Sequence, residues 1–142
     1  MEYKKDVRTK NLTLRDIHVG DWVQVWSEIT ERYSPPLKII QICDDGTIYL
    51  VTSDEERPTP WEENIKDVDA LPITPELLKG FGFELEVNKV STKVNYKQQF
   101  ISYLVKLSGG KYRVGLAFRY LHDLCYYIST SYGLTLEWKG IE

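Results

Sequence analysis

Gly20-Asp21-Trp22-Val23-Gln24-Val25-Trp26 decides how the chain begins to fold. A glycine takes the positive φ of a tight turn, and an aspartate beside it accepts hydrogen bonds from the turn backbone. The strict alternation that follows predicts a strand, with Val23 and Val25 on one face and Trp22 and Trp26 on the other. The two valines have the better claim to the interior. The tryptophans then face outward, where side chains of that size call for a cover.

Downstream, the polar segment 27–36, SEITERYSPP, predicts a long loop. Leu37–Cys43 and Thr47–Thr52 predict a hairpin closed by Asp44-Asp45-Gly46. An acidic loop over 53–64, carrying Trp61, and a short apolar stretch over 65–71 complete the unit. Several short strands joined by one long loop and one tight turn suggest a small closed barrel. The layout over residues 14–72 resembles SH3-like barrels, a fold that hosts many unrelated functions. Residues 1–13, polar and rich in charge, read as a flexible lead.

Pro72-Ile73-Thr74-Pro75 marks a boundary. Thr74 is a good helix N-cap, Pro75 suits the first helical position, and a glycine at 80 or 82 ends a short helix. Strands are expected over 83–87, 99–107 and 112–118, with a loop over 88–96 and a hairpin turn at Ser108-Gly109-Gly110. On the second strand, Ile101, Tyr103, Val105 and Leu107 share one face. Leu121, Leu124, Cys125 and Ile128 form the stripe of an amphipathic helix that stops at Gly133, and residues 134–138 read as a last strand. The expected class is α+β: an SH3-like small β-barrel at 14–72, followed by an α-β-β-β-α-β unit at 73–142 packed against it.

Two longer stretches, LPITPELLKGFGFE (71–84) and RYLHDLCYYISTSYGLTLEWK (119–139), resemble a family of uncharacterised small proteins encoded by prophages and mobile elements of anaerobic gut bacteria. Residues 71–83 match the family's middle segment. Tyr120, Leu121, His122 and Leu124 match its terminal helix, where Cys125 and Tyr126 replace the usual Gln-Asn pair. The resemblance implies a mobile-element context and carries no activity to any residue.

The totals narrow the function classes. The 142 residues are 42% hydrophobic and 13% aromatic, as in an aromatic-rich globular protein rather than a disordered chain or a disulfide scaffold. The net charge of −3 hides opposed halves: −6 over residues 1–70 and +3 over 71–142. Such a reversal suggests two units that attract one another, or two surfaces with different partners. With no apolar leader and no membrane-length apolar run, the expected location is the cytoplasm, away from any membrane. Cys43 and Cys125 read as small buried hydrophobes, and a disulfide between them is a matter of geometry that sequence leaves open.

Chemistry is hard to find. The only bases of histidine type are His18 and His122, and His122 stands three residues before Cys125 on the predicted helix. Cys125 belongs to the apolar stripe, and no glycine-rich nucleophile turn is present, so no catalytic residue is assigned. No CxxC or HxxxH spacing indicates a metal, and no phosphate loop or dinucleotide fingerprint indicates a cofactor. Gly80-Phe81-Gly82 is a helix cap rather than a nucleotide motif.

Two surface features remain. Trp22, Trp26, Tyr33, Tyr49 and Trp61 form a candidate partner-binding set, suited to an extended peptide, or alternatively a core shared between the two units. The second is a run free of acidic residues from Val87 to His122. Within it Lys97, Phe100, Lys106, Lys111, Arg113 and Arg119 give a sheet hairpin the cation-and-aromatic composition that binds single-stranded nucleic acid. The leading expectation is a non-enzymatic accessory protein that binds an unknown protein or peptide. The alternative is a nucleic-acid-binding module using the 97–119 hairpin.

Overall fold

The computed structural model describes residues 8–52 and 59–140. Its first sheet contains β1 (Trp22–Ser27), β2 (Arg32–Tyr33), β3 (Leu37–Ile42), β4 (Thr47–Val51), β5 (Trp61–Asn64) and β6 (Val68–Asp69). β2 and β3 run one after the other along β1, with Trp26 opposite Tyr33 and Val23 opposite Leu37. At the break between them, Val25 N donates to Ser34 Oγ at 2.9 Å, so a side chain replaces one rung of the ladder. β6 also pairs with β1, Val68 opposite Val25, and the sheet curls into half a barrel. Gly46 turns the β3–β4 hairpin at φ 95°, and Asp45 Oδ1 accepts from Thr47 N at 2.9 Å.

Two expectations change in this half. Trp61 belongs to a strand, not to the acidic loop, because residues 61–64 pair with β4 from Leu50 to Thr47; residues 53–58 of that loop lie outside the described residues. Residues 8–13, read as part of a flexible lead, run beside β6, while residues 1–7 lie outside the described residues. Leu12 is buried with Val23, Val25, Leu37, Ile39, Ile48 and Leu50. Thr9 Oγ1 donates to the Ala70 carbonyl, and Arg8 Nε donates to buried Asp69 at 2.9 Å. The charge of the segment masks a single apolar anchor, Leu12, and a guanidinium with a buried carboxylate to pair with.

The second sheet follows α1 (Pro75–Gly80). Thr74 caps α1 as its sequence predicts, Oγ1 accepting from Leu77 N at 3.1 Å. β7 (Phe83–Val87), β8 (Thr92–Tyr96), β9 (Gln99–Lys106) and β10 (Tyr112–Val114) form an antiparallel meander, and α2 (Leu121–Tyr132) comes last. β8 replaces the loop expected over 88–96. Lys93 and Asn95 occupy the outer face, while Val94 and Tyr96 fill the inner one, so composition concealed the alternation. β10 ends at Val114, because Gly115 at φ 63° starts a turn that brings Phe118 back onto Val114. The unit therefore reads α-β-β-β-β-α.

The expected last strand is also absent from the described residues: 134–138 form a strap without ladder partners. Side chains take its carbonyls instead. Trp22 Nε1 donates to Leu136 O at 3.0 Å, and Tyr96 Oη donates to Thr135 O at 2.9 Å. Gly133 at φ 67° ends α2, and Lys139 N donates to Gly80 O, returning the strap to α1.

The two sheets meet at β1. Val23 and Val25 fill the barrel core, whereas Trp22 enters a second core with Phe81, Tyr96, Leu121, Leu124, Cys125 and Ile128. β1 is buried on both faces, and Trp22 belongs to a core shared between the two units, as the alternative reading of the aromatic set expected. Gly80 is tightly constrained at this joint: a Cβ there would meet the Trp138 ring, with Cη2 at 2.7 Å. Gly80→Ala is expected to push Trp138 off Phe81, with a loss of about 1–3 kcal/mol in denaturant unfolding and a shift in tryptophan emission. Unchanged stability and emission would show that the strap does not seat on α1.

Candidate nucleic-acid interface

The five candidate aromatics do not converge. Trp22 is 1% exposed and lies between the sheets. Trp26 is buried and packs edge-to-face on Tyr33, ring centres 4.9 Å apart. Tyr33 is itself engaged: its hydroxyl donates to Asp69 Oδ2 at 2.6 Å and accepts from Thr9 N at 2.7 Å. Burial and the Asp69 carboxylate together raise its pKa above the ordinary tyrosine value. Tyr49 stands opposite Glu62, and Trp61 opposite fully buried Leu50. Adjacent positions on paired strands face opposite ways, so Tyr49 and Trp61 occupy different faces of the sheet.

The basic hairpin has a different geometry from the one its sequence suggests. Between β8 and β9 the register shifts: Val94 faces Ser102, but Asn95 faces Phe100, leaving Ile101 as the extra residue of a bulge. A bulge reverses which alternate positions face the core. Ile101 is buried, and Leu104 rather than Tyr103 packs beside it. Phe100 and Tyr103 therefore both stand outside, 48% and 45% exposed, packed edge-to-face with ring centres 5.3 Å apart. The expected inward face of Ile101, Tyr103, Val105 and Leu107 is thus broken after its first member, and Leu104 leaves the expected outer face.

Cross-strand pairing defines what flanks these rings. Lys93 is opposite Tyr103, Asn95 is opposite Phe100, and Arg113 is opposite Val105. Directly opposed residues share a face, so Lys93, Phe100, Tyr103 and Arg113 lie on one outer surface. Glu84 and Glu86 bound it on the β7 edge, opposite Asn95 and Lys93. Arg113 Nε is screened from solvent and has no hydrogen-bond partner among the described residues. Lys97, at the β8–β9 turn, and Lys106, at the far end of β9, are exposed. Lys111 and Arg119 are also exposed, but they line a separate cleft beside Arg8 and Tyr120. Lys93 belongs to the acid-free run but falls in a segment expected as loop, and Tyr103 is expected on the face of Ile101. The pair Val94 and Tyr96 held the signal for the first; no residue pattern announces the bulge that exposes the second.

The histidine and cysteine positions form no nucleophile. Cys125 is buried, and burial pushes its thiol pKa well above the ordinary value, leaving no thiolate to attack or ligate. Both cysteines are free, and Cys43 is half-exposed rather than buried. His122 is buried with Nδ1 unpartnered, instead of donating to a backbone carbonyl, and Nε2 lies 3.4 Å from Asp123 Oδ1. His18 stacks on Tyr126 of α2 at 3.8 Å between ring centres and holds buried Asp21 through its backbone N at 2.8 Å. Among the described residues no three His, Cys, Asp or Glu converge as a metal site. No described helix is long and apolar enough to cross a membrane.

Asp21 and His122 set opposite pH responses at the joint. Burial raises the Asp21 carboxyl from 3.8 to about 6 and lowers the His122 imidazole below 6.5. The folded chain holds the Asp21 proton more tightly than the unfolded chain does. That contribution is complete below 3.8 and is lost as pH rises through about 6. His122 acts in the other sense, its contribution being lost as pH falls below 6.5. Asp21→Asn removes the first response, so its stability relative to the parent chain is expected to rise by about 2–3 kcal/mol between roughly pH 4 and 6.5. Urea midpoints measured across that interval check this, and parallel curves for the two chains would contradict it. No protein-family model, curated protein or solved structure matches the chain.

Proposed function

We propose that the protein is a non-enzymatic nucleic-acid-binding module that holds a short single strand along the outer face of β9. The observation that carries this reading is the exposed Phe100–Tyr103 pair standing between Lys93 and Arg113. Stacking on aromatic rings favours unpaired bases of any sequence, and flanking cations attract the phosphates between them. Lys106, opposite Tyr112, falls on the Leu104–Val114 face, and Lys97 Nζ sits over the Tyr96 ring, so Lys93 and Arg113 carry the positive charge of this face. Glu84 and Glu86 repel a strand from the β7 edge and confine it to β8, β9 and β10.

The first half then serves as scaffold. A strand order of β6-β1-β3-β4-β5, with a 3-10 turn at Ile65–Asp67 before β6, supports an SH3-like reading of residues 14–72. A cytoplasmic, mobile-element setting agrees with a binding protein that needs no chemistry of its own. The other reading, a protein-interaction module acting through the five aromatics, has less support, because Trp22 and Trp26 are buried and Tyr33 is committed to Asp69.

Fluorescence anisotropy with a labelled oligothymidylate tests the proposal. Two cations on the face predict a loss of about sevenfold in affinity between roughly 50 and 200 mM salt. Phe100→Ala and Tyr103→Ala are each expected to weaken binding by about tenfold or more, with unfolding midpoints unchanged. Absence of binding at low salt, or indifference to both substitutions, would refute the reading.

A further inference from the structure

A second site lies at the other end of the β9–β10 hairpin, on different residues. A cleft of about 440 Å³ opens between residues 8–9, the segment Pro72–Thr74, the β9–β10 turn and the start of α2. Its size falls in the range of small-molecule sites. Arg8, Lys111 and Arg119 line it, and no aspartate or glutamate among the described residues does. Asp69 engages Arg8 through Nε and a terminal nitrogen, which fixes the guanidinium and offsets its charge. Lys111 and Arg119 are exposed, and their charges give the cleft its positive sign. Half-buried Tyr112 and Tyr120 also line it, with Lys10 Nζ over the Tyr120 ring at 5.5 Å.

The walls are held by backbone pairing rather than by loops alone. Tyr112 is paired with Lys106, and Leu107 N donates to Lys111 O at 2.7 Å. Tyr120 bridges to Pro72, and Leu121 N donates to Leu71 O at 2.9 Å.

We propose that this cleft binds a nucleoside monophosphate, its phosphate between Lys111 and Arg119 and its base against a tyrosine wall. A phosphomonoester suits a site with several cations, since it brings close to two negative charges and three acceptor oxygens. The rings distinguish a nucleotide from a free anion, because inorganic phosphate leaves them uncovered.

Calorimetric titration of the full chain with AMP, inorganic phosphate and adenosine tests this. AMP is expected to bind, inorganic phosphate at least tenfold more weakly, and adenosine not at all. Lys111→Ala and Arg119→Ala, both at exposed positions, are each expected to weaken AMP about tenfold or more with the unfolding midpoint unchanged. Phe100→Ala is expected to leave AMP binding intact, which separates this site from the strand-binding face. No AMP binding at millimolar concentration, equal binding of adenosine or of phosphate, or indifference to both cation substitutions would overturn the proposal.

Discussion

The indole of Trp22 is the point on which the two halves depend. It leaves the barrel strand β1, enters the core beneath the second sheet, and donates its one hydrogen bond to Leu136 of the C-terminal strap. Phe81 meets it edge-on at 5.2 Å between ring centres, and Trp138 also packs on Phe81, at 4.8 Å. A buried indole without an acceptor is costly, so the position of the strap and the burial of Trp22 require each other. Small units of this size bury a limited fraction of their surface, and sharing large aromatics across a joint is a way to enlarge the core.

This joint also determines which surface is left for binding. With α2 and the strap covering the inner face of the second sheet, the outer face of β8, β9 and β10 has no cover from the described chain. The bulge at Ile101 then puts Phe100 and Tyr103 there together. Without the extra residue Tyr103 would turn inward and Leu104 outward, and the face would present one ring and an aliphatic. Buried Asp69 has the corresponding role in the first half, gathering Arg8, Tyr33 and Asn11 so that the N-terminal segment closes the sheet at β6.

Legibility in the sequence followed how local the cause was. The Gly20–Trp26 strand, the Asp45-Gly46 turn, the Thr74 cap and the Gly133 stop all rest on neighbouring residues, and each stands where its chemistry indicates. β8 was hidden because its outward residues are polar and its inward pair, Val94 and Tyr96, is short. The strap at 134–138 alternates like a strand, yet its carbonyls meet an indole and a phenol from distant segments, which no local pattern encodes. The site was half legible. The run without acidic residues marks the hairpin that carries the proposed face, but register decided which side chains share it. Lys111 and Arg119 leave that face for the cleft because they flank a short β10, which stops at Val114 where Gly115 turns the chain.

Hydrogen exchange at the Trp22 indole N–H, followed by NMR under native conditions, tests the joint most directly. If Trp22 couples the two sheets, this proton exchanges only on global unfolding, with the same free energy as the slowest amides of β1 and β8. Exchange of the indole while those amides stay protected would show that the halves separate without unfolding, and would contradict the account.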